Sequence, residues 1–103
     1  MTIEPWQTRA PDLIAEVLIY PPDDGGRSTA IQPGYGCPCF TEKRTSKGGW
    51  DARLQLADRP LEPGTKRQVG FVFLSSEGAE TMRRARKFYL WEGRFIGEAV
   101  VTD

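Results

Sequence analysis

Asp23-Asp24-Gly25-Gly26-Arg27-Ser28-Thr29 is the stretch on which the fold turns. Two adjacent glycines after an apolar run mark a sharp reversal, because glycine reaches positive φ without steric cost. Arg27, Ser28 and Thr29 then form a polar cluster able to tie the returning segment down. An arginine in such a turn commonly bonds carbonyls and a carboxylate such as Asp23 or Asp24, fixing the loop. The alternative is a cation facing a ligand. Upstream, Leu13, Ile14, Val17, Leu18, Ile19 and Tyr20 lie between Pro11 and Pro21-Pro22, and this short, β-branched run predicts a strand.

Downstream, residues 28–41 read as an extended segment broken at Pro33-Gly34. Pro38 cannot donate to a ladder, which places it at an edge or a bulge. Residues 42–49 are charged and end in glycine, a solvated turn. From Trp50 to Leu56 the chain alternates, with Trp50, Ala52, Leu54 and Leu56 on one face and Asp51, Arg53 and Gln55 on the other, which predicts a half-buried strand. Pro63-Gly64 fits a type II turn ahead of a central strand over Val69–Leu74. Residues 75–84 have weak helical character, but Gly78 and their brevity predict a single turn. Phe88-Tyr89-Leu90-Trp91 meets Arg94–Val101 across Glu92-Gly93, a tight hairpin. Six strands with regular turn signals and no true helix predict an antiparallel barrel or sandwich. Residues 1–11 read as an N-terminal tail, partly anchored by Trp6, and residues 12–103 as one β-barrel domain.

In this order and spacing, Asp24-Gly25-Gly26-Arg27-Ser28-Thr29, Gly34-Tyr35, Phe40, Pro63-Gly64, Glu92-Gly93-Arg94 and Gly97-Glu98-Ala99-Val100 resemble the third, C-terminal β-barrel domain of translation elongation factor Tu and related GTPases. The resemblance runs from about Asp12 to Val101. It implies an all-β fold, a six-stranded antiparallel closed barrel. In elongation factor Tu that domain performs no chemistry; it packs on the GTPase domain, contacts the T stem of aminoacyl-tRNA and meets the exchange factor. This chain departs from the pattern after Arg27, where Ser28-Thr29-Ala30-Ile31-Gln32 stands in place of His-Thr with apolar residues. It departs again after Tyr35, where Gly36-Cys37-Pro38 replaces an arginine-proline pair and loses a cation.

A chain of 103 residues makes one domain with a real core. Hydrophobic content of 39% and charged content of 27% place it with globular proteins, not with disordered or membrane ones. Fourteen basic residues balance fourteen acidic ones, so the chain lacks the positive field of a general nucleic-acid binder. No apolar run approaches the roughly 20 residues that span a bilayer. With no basic-then-apolar N-terminal order, cytoplasmic residence is the expectation. The absence of a glycine-rich Lys-Ser/Thr phosphate loop excludes nucleotide hydrolysis.

The chain has no histidine, the commonest general base near neutral pH, so no catalytic residue is nominated and an enzyme is not expected. The carboxylates Glu16, Asp51, Asp58, Glu62 and Glu98 are scattered. Cys37 and Cys39 are two apart: a disulfide would close a strained ring, and a zinc site needs more ligands than the chain offers. They read as buried thiols on one strand face, with no metal and no cofactor. The aromatic residues read mostly as filling for a small barrel interior.

Two binding readings follow. A protein partner would be met by the Asp24–Thr29 turn and the last hairpin, through Arg27, Thr29, Tyr35, Trp91, Gly93, Arg94 and Phe95, with Trp91 or Phe95 projecting as an anchor. RNA or tRNA would be met by Arg83, Arg84, Arg86 and Lys87, the one concentration of like charge. The partner's identity and the oligomeric state are not legible.

Overall fold

Six strands close on themselves in the computed structural model, which describes residues 5–103. They are β1 (Leu13–Ile19), β2 (Gly36–Phe40), β3 (Trp50–Gln55), β4 (Lys66–Phe73), β5 (Lys87–Trp91) and β6 (Phe95–Val101). Around the barrel the order is β1-β4-β3-β2-β5-β6, and every pairing is antiparallel. The chain is therefore an all-β, six-stranded closed barrel, the class expected from its turns and alternation.

Period-two patterning decides which side chains enter the core. In β1, Leu13, Ala15, Val17 and Ile19 are fully buried while Ile14, Glu16 and Leu18 face outward. A barrel of this size is filled by side chains, leaving no channel. Its interior rings are Phe71, Phe73 and Phe88, with Phe71 and Phe88 edge-to-face at 5.1 Å between centroids. The expectation that most aromatics fill the interior is corrected: Phe40, Tyr89, Trp91 and Phe95 form a second cluster on the outer wall.

β4 starts earlier than its apolar run. Lys66, Arg67 and Gln68 pair with Leu18, Val17 and Glu16, so β1 recruits polar residues into the ladder. Pro38 marks the other irregularity. The Leu54 N–H donates to the Tyr35 carbonyl, and antiparallel alternation then turns the Pro38 backbone away from β3, toward β5. Pro38 has no N–H to give there, and the β2–β5 ladder comprises only Cys39–Leu90 and Phe40–Tyr89. This is the shortest seam of the barrel.

The expected single turn over residues 75–84 is also corrected. The segment is an α-helix, Ser76–Ala85, which carries the chain from β4 across to β5. The Ser75 hydroxyl accepts from the Gly78 N–H at 3.1 Å, capping its start. Gly78, Ala79 and Met82 form its buried face. Glu77 lies in the first turn and Arg83 and Arg84 in the last, the arrangement that a helix dipole favours. Arg86 ends the helix in the left-handed region at φ 69°, its N–H returned to the Met82 carbonyl.

Of the tail expected over residues 1–11, Pro5–Thr8 forms a single helical turn against β3; residues 1–4 lie outside the described residues. The Gln55 side-chain amide donates to the Trp6 carbonyl at 2.7 Å and to the Arg9 carbonyl at 2.9 Å. The Arg53 guanidinium lies 5.5 Å from the Trp6 ring centre. Among the described residues, no helix is long and apolar enough to cross a membrane.

Candidate functional site

Strand directions gather three connections at one end of the barrel: the long β1–β2 loop, the β3–β4 loop and the β5–β6 hairpin turn. The long loop opens with a short 3-10 turn, Pro22–Asp24, closed by Gly25 at φ 82°. Arg27 then returns its N–H to the Tyr20 carbonyl at 3.0 Å. Ile31 and Leu61 exchange two backbone bonds of 2.9 Å, stitching this loop to the β3–β4 loop.

The hairpin locks onto this loop through side chains. Arg27 donates to Glu92 Oε1 at 2.5 Å, and the Tyr35 hydroxyl donates to Glu92 Oε2 at 2.8 Å. Arg27 also reaches the Thr29 carbonyl and hydroxyl, both at 3.3 Å. In return, Arg94 donates to the Gly25 carbonyl at 2.7 Å and the Gly26 carbonyl at 2.6 Å. Arg27 thus fixes the loop, and its carboxylate partner is Glu92 where Asp23 or Asp24 was expected. Burial pushes the Tyr35 hydroxyl pKa upward, with Cys37 and the Glu92 bond adding to it.

Arg27, Thr29, Tyr35 and Arg94 are thereby brought together by the hairpin whose tip is Gly93, at φ 73°. Trp91 and Phe95 flank that tip as a cross-strand pair. Neither projects freely: both are half-buried, with Phe40 edge-on to Phe95 at 5.6 Å and to Trp91 at 6.4 Å. Among the described residues, the large apolar ones most open to solvent are instead Leu74, 69% exposed, with Val100 and Ile14.

The outer aromatic cluster extends to Tyr20 and Tyr89. The Lys43 ammonium sits 4.6 Å from the Tyr20 ring centre and 5.5 Å from that of Tyr89. The Tyr20 hydroxyl donates to Glu98 Oε1 at 2.8 Å, and Lys87 lies 3.4 Å from Glu98 Oε2. Burial opposes ionisation of Glu98, but the Tyr20 bond and the two ammoniums outweigh it and hold the carboxyl below its ordinary range. Burial, and then the bond to Glu98, push the Tyr20 hydroxyl up. Neither Tyr20 nor Lys43 was nominated from sequence. The signal for Glu98 was its outward place in the β6 alternation.

The basic group lies at the opposite end of the barrel, and each member has an internal partner. Arg83 binds the Asp103 carboxylate at 3.1 Å and the Asp12 carbonyl. Arg84 pairs with Glu80 at 2.5 Å along the helix. Arg86 donates to the Val101 carbonyl at 3.1 Å, and Lys87 pairs with Glu98. Arg83 and Arg84 lie in the last turn of the helix, Arg86 caps it, and Lys87 begins β5.

Cys37 and Cys39 are free, buried thiols on the inner face of β2. Interaction with Cys37, and then burial, push the Cys39 thiol well above its ordinary pKa, away from the thiolate form that reacts. A cleft of about 260 Å³ lies outside β2 and β3, between Pro38, Asp51, Arg53 and Leu74. Asp51 is its one carboxylate, and the Arg53 guanidinium is stacked over Trp6.

No protein-family model matches this chain, and no curated protein sequence matches it.

Proposed function

We propose that this barrel is a non-catalytic binding module whose target is another macromolecule, a protein in preference to RNA. The observation that carries the reading is the lock at the loop end. There, Glu92 takes both Arg27 and Tyr35 while Arg94 grips two loop carbonyls. A loop and a hairpin held in this way present a pre-ordered surface, and pre-ordering removes part of the entropic cost of association. Trp91 and Phe95 supply half-exposed aromatic area beside it, the residue type that dominates protein interfaces. The RNA reading is less favoured because Arg83, Arg84, Arg86 and Lys87 already spend bonds inside the molecule.

Kinship with the third domain of elongation factor Tu is part of the same proposal, as are a cytoplasmic setting and a link to translation. Its support is the ordered set of turn residues together with a barrel of the matching strand number.

The test is retention of proteins from native cell extract on the immobilised chain, with and without nuclease. A Trp91→Ala/Arg94→Glu variant, shown folded by circular dichroism, serves as control. Nuclease-resistant retention that this variant loses supports the reading. Retardation of tRNA on a gel at low salt, abolished by charge reversal at Arg84 and Lys87, would replace it with the RNA reading.

A further inference from the structure

The outer wall holds a cluster of rings and charges that the loop-end reading does not use. Two tyrosine rings, Tyr20 and Tyr89, share the Lys43 ammonium, and Lys87 also lies 5.6 Å from the Tyr89 ring centre. Behind them, the Glu98 carboxylate is fixed by the Tyr20 hydroxyl and by Lys87. Ring faces carry negative quadrupolar potential, and rings around a carboxylate form the usual receptor for an alkylammonium.

The present occupant arrives on an exposed loop, residues 41–49. Besides the Lys43 contacts, the loop holds an ion pair between Glu42 and Arg44 and a Gly48 N–H to Thr45 carbonyl bond of 3.1 Å, and Gly49 at its end lies close against the Phe40 ring. A loop lysine is therefore an internal ligand, seated as a lysine on a partner's loop would be.

We infer that Tyr20, Tyr89 and Glu98 form a lysine-recognition site for a partner protein, with Lys43 as a built-in competitor that the partner's lysine displaces. The inference does not depend on the loop-end surface, and either can fail alone. Lysine is the favoured occupant because the site already holds that side chain, delivered in a polypeptide loop. Without Lys43 the site is neutral, Lys87 being paired with Glu98 and 5.6 Å from the Tyr89 ring centre, so a further cation would be held chiefly by the Tyr20 and Tyr89 ring faces.

The test uses the intact chain with isotope-labelled tyrosine and a peptide of residues 41–45, set against its norleucine counterpart, in which a methyl group replaces the ammonium. In the Lys43→Ala protein, the lysine peptide should shift the Tyr20 and Tyr89 ring resonances saturably. It should bind about threefold or more tighter than the norleucine peptide, and tighter than it binds the unsubstituted chain. Adding Glu98→Gln should weaken it further. Equal binding of the two peptides, or no gain from Lys43→Ala, overturns the inference. Lys43 lies on a solvent-exposed loop, so the decisive comparison does not need a variant that risks the fold.

Discussion

A methyl group at position 26 would lie 1.6 Å from the Tyr20 carbonyl oxygen and 2.2 Å from its carbon. The backbone cannot yield that distance without breaking the loop's return to Tyr20. Gly25, by contrast, has open space around it and needs glycine only for its φ of 82°. Gly26→Ala should therefore cost more than about 2 kcal/mol, and Gly25→Ala about 1 kcal/mol, read from urea midpoints at constant slope. Glu92 sets a softer limit, because its side chain is 42% exposed. Glu92→Ala should lose only about 0.5–1 kcal/mol, a loss that shrinks as salt is raised. The turn was legible in the doubled glycine. Glu92 as the partner of Arg27 was not, since 65 residues separate them and only barrel closure brings them together.

At the scale of elements, the helix Ser76–Ala85 shows how a local rule was outweighed. Gly78 has poor helix propensity, yet a side chain there would press on Trp50, 3.0 Å from its Cβ, so the docked helix requires the residue that weakens it. A readable signal did exist in Ser75 as a cap and in Ala79 and Met82 at helical spacing. Ser75→Ala should destabilise the chain by about 1 kcal/mol through loss of the cap. Met82→Ala, at a fully buried position, should cost about 2–4 kcal/mol. Chemical denaturation ranks the two, and the reverse order would mean that the helix packs loosely on the barrel. β3 and the last hairpin were legible because alternation and a glycine turn are local signals. The outer placement of Phe40, Tyr89 and Trp91 depends on which wall the 41–49 loop covers, which no local pattern encodes.

For the whole molecule, three carboxylates titrate below their ordinary range: Glu42, held by Arg44 and Lys47 within its own exposed loop, and Glu98 and Asp103, which tie distant elements together. Glu98 titrates below its ordinary value of 4.5, where the Tyr20 and lysine contacts overcome burial. Asp103 titrates below 3.8, chiefly through the Ile14 N–H and with help from Arg83. A lowered folded pKa means that the unfolded chain binds protons first, so stability rises with pH across this window. The contribution is complete above about pH 5 and lost as pH falls through the folded values. The melting temperatures of the unsubstituted chain and of Glu98→Gln should accordingly converge as pH is lowered below about 5. The ladder itself should be uneven. Hydrogen exchange should find the Phe40 amide at the β2–β5 seam less protected than the central β1–β4 amides, because two residue pairs hold the first and six hold the second. That six strands would form was legible from turns and alternation. The seam was not, although Pro38, which ends it, was in view throughout.

Pro38 and the short ladder beside it have one more consequence. A sheet that wraps fully around leaves no row of backbone donors and acceptors for a foreign strand to join. Recognition by strand addition, common among open sheets, is thereby denied to this molecule. The point most prone to intrusion is the two-pair junction. A polypeptide that pried it apart would meet proline first, which offers nothing to bond.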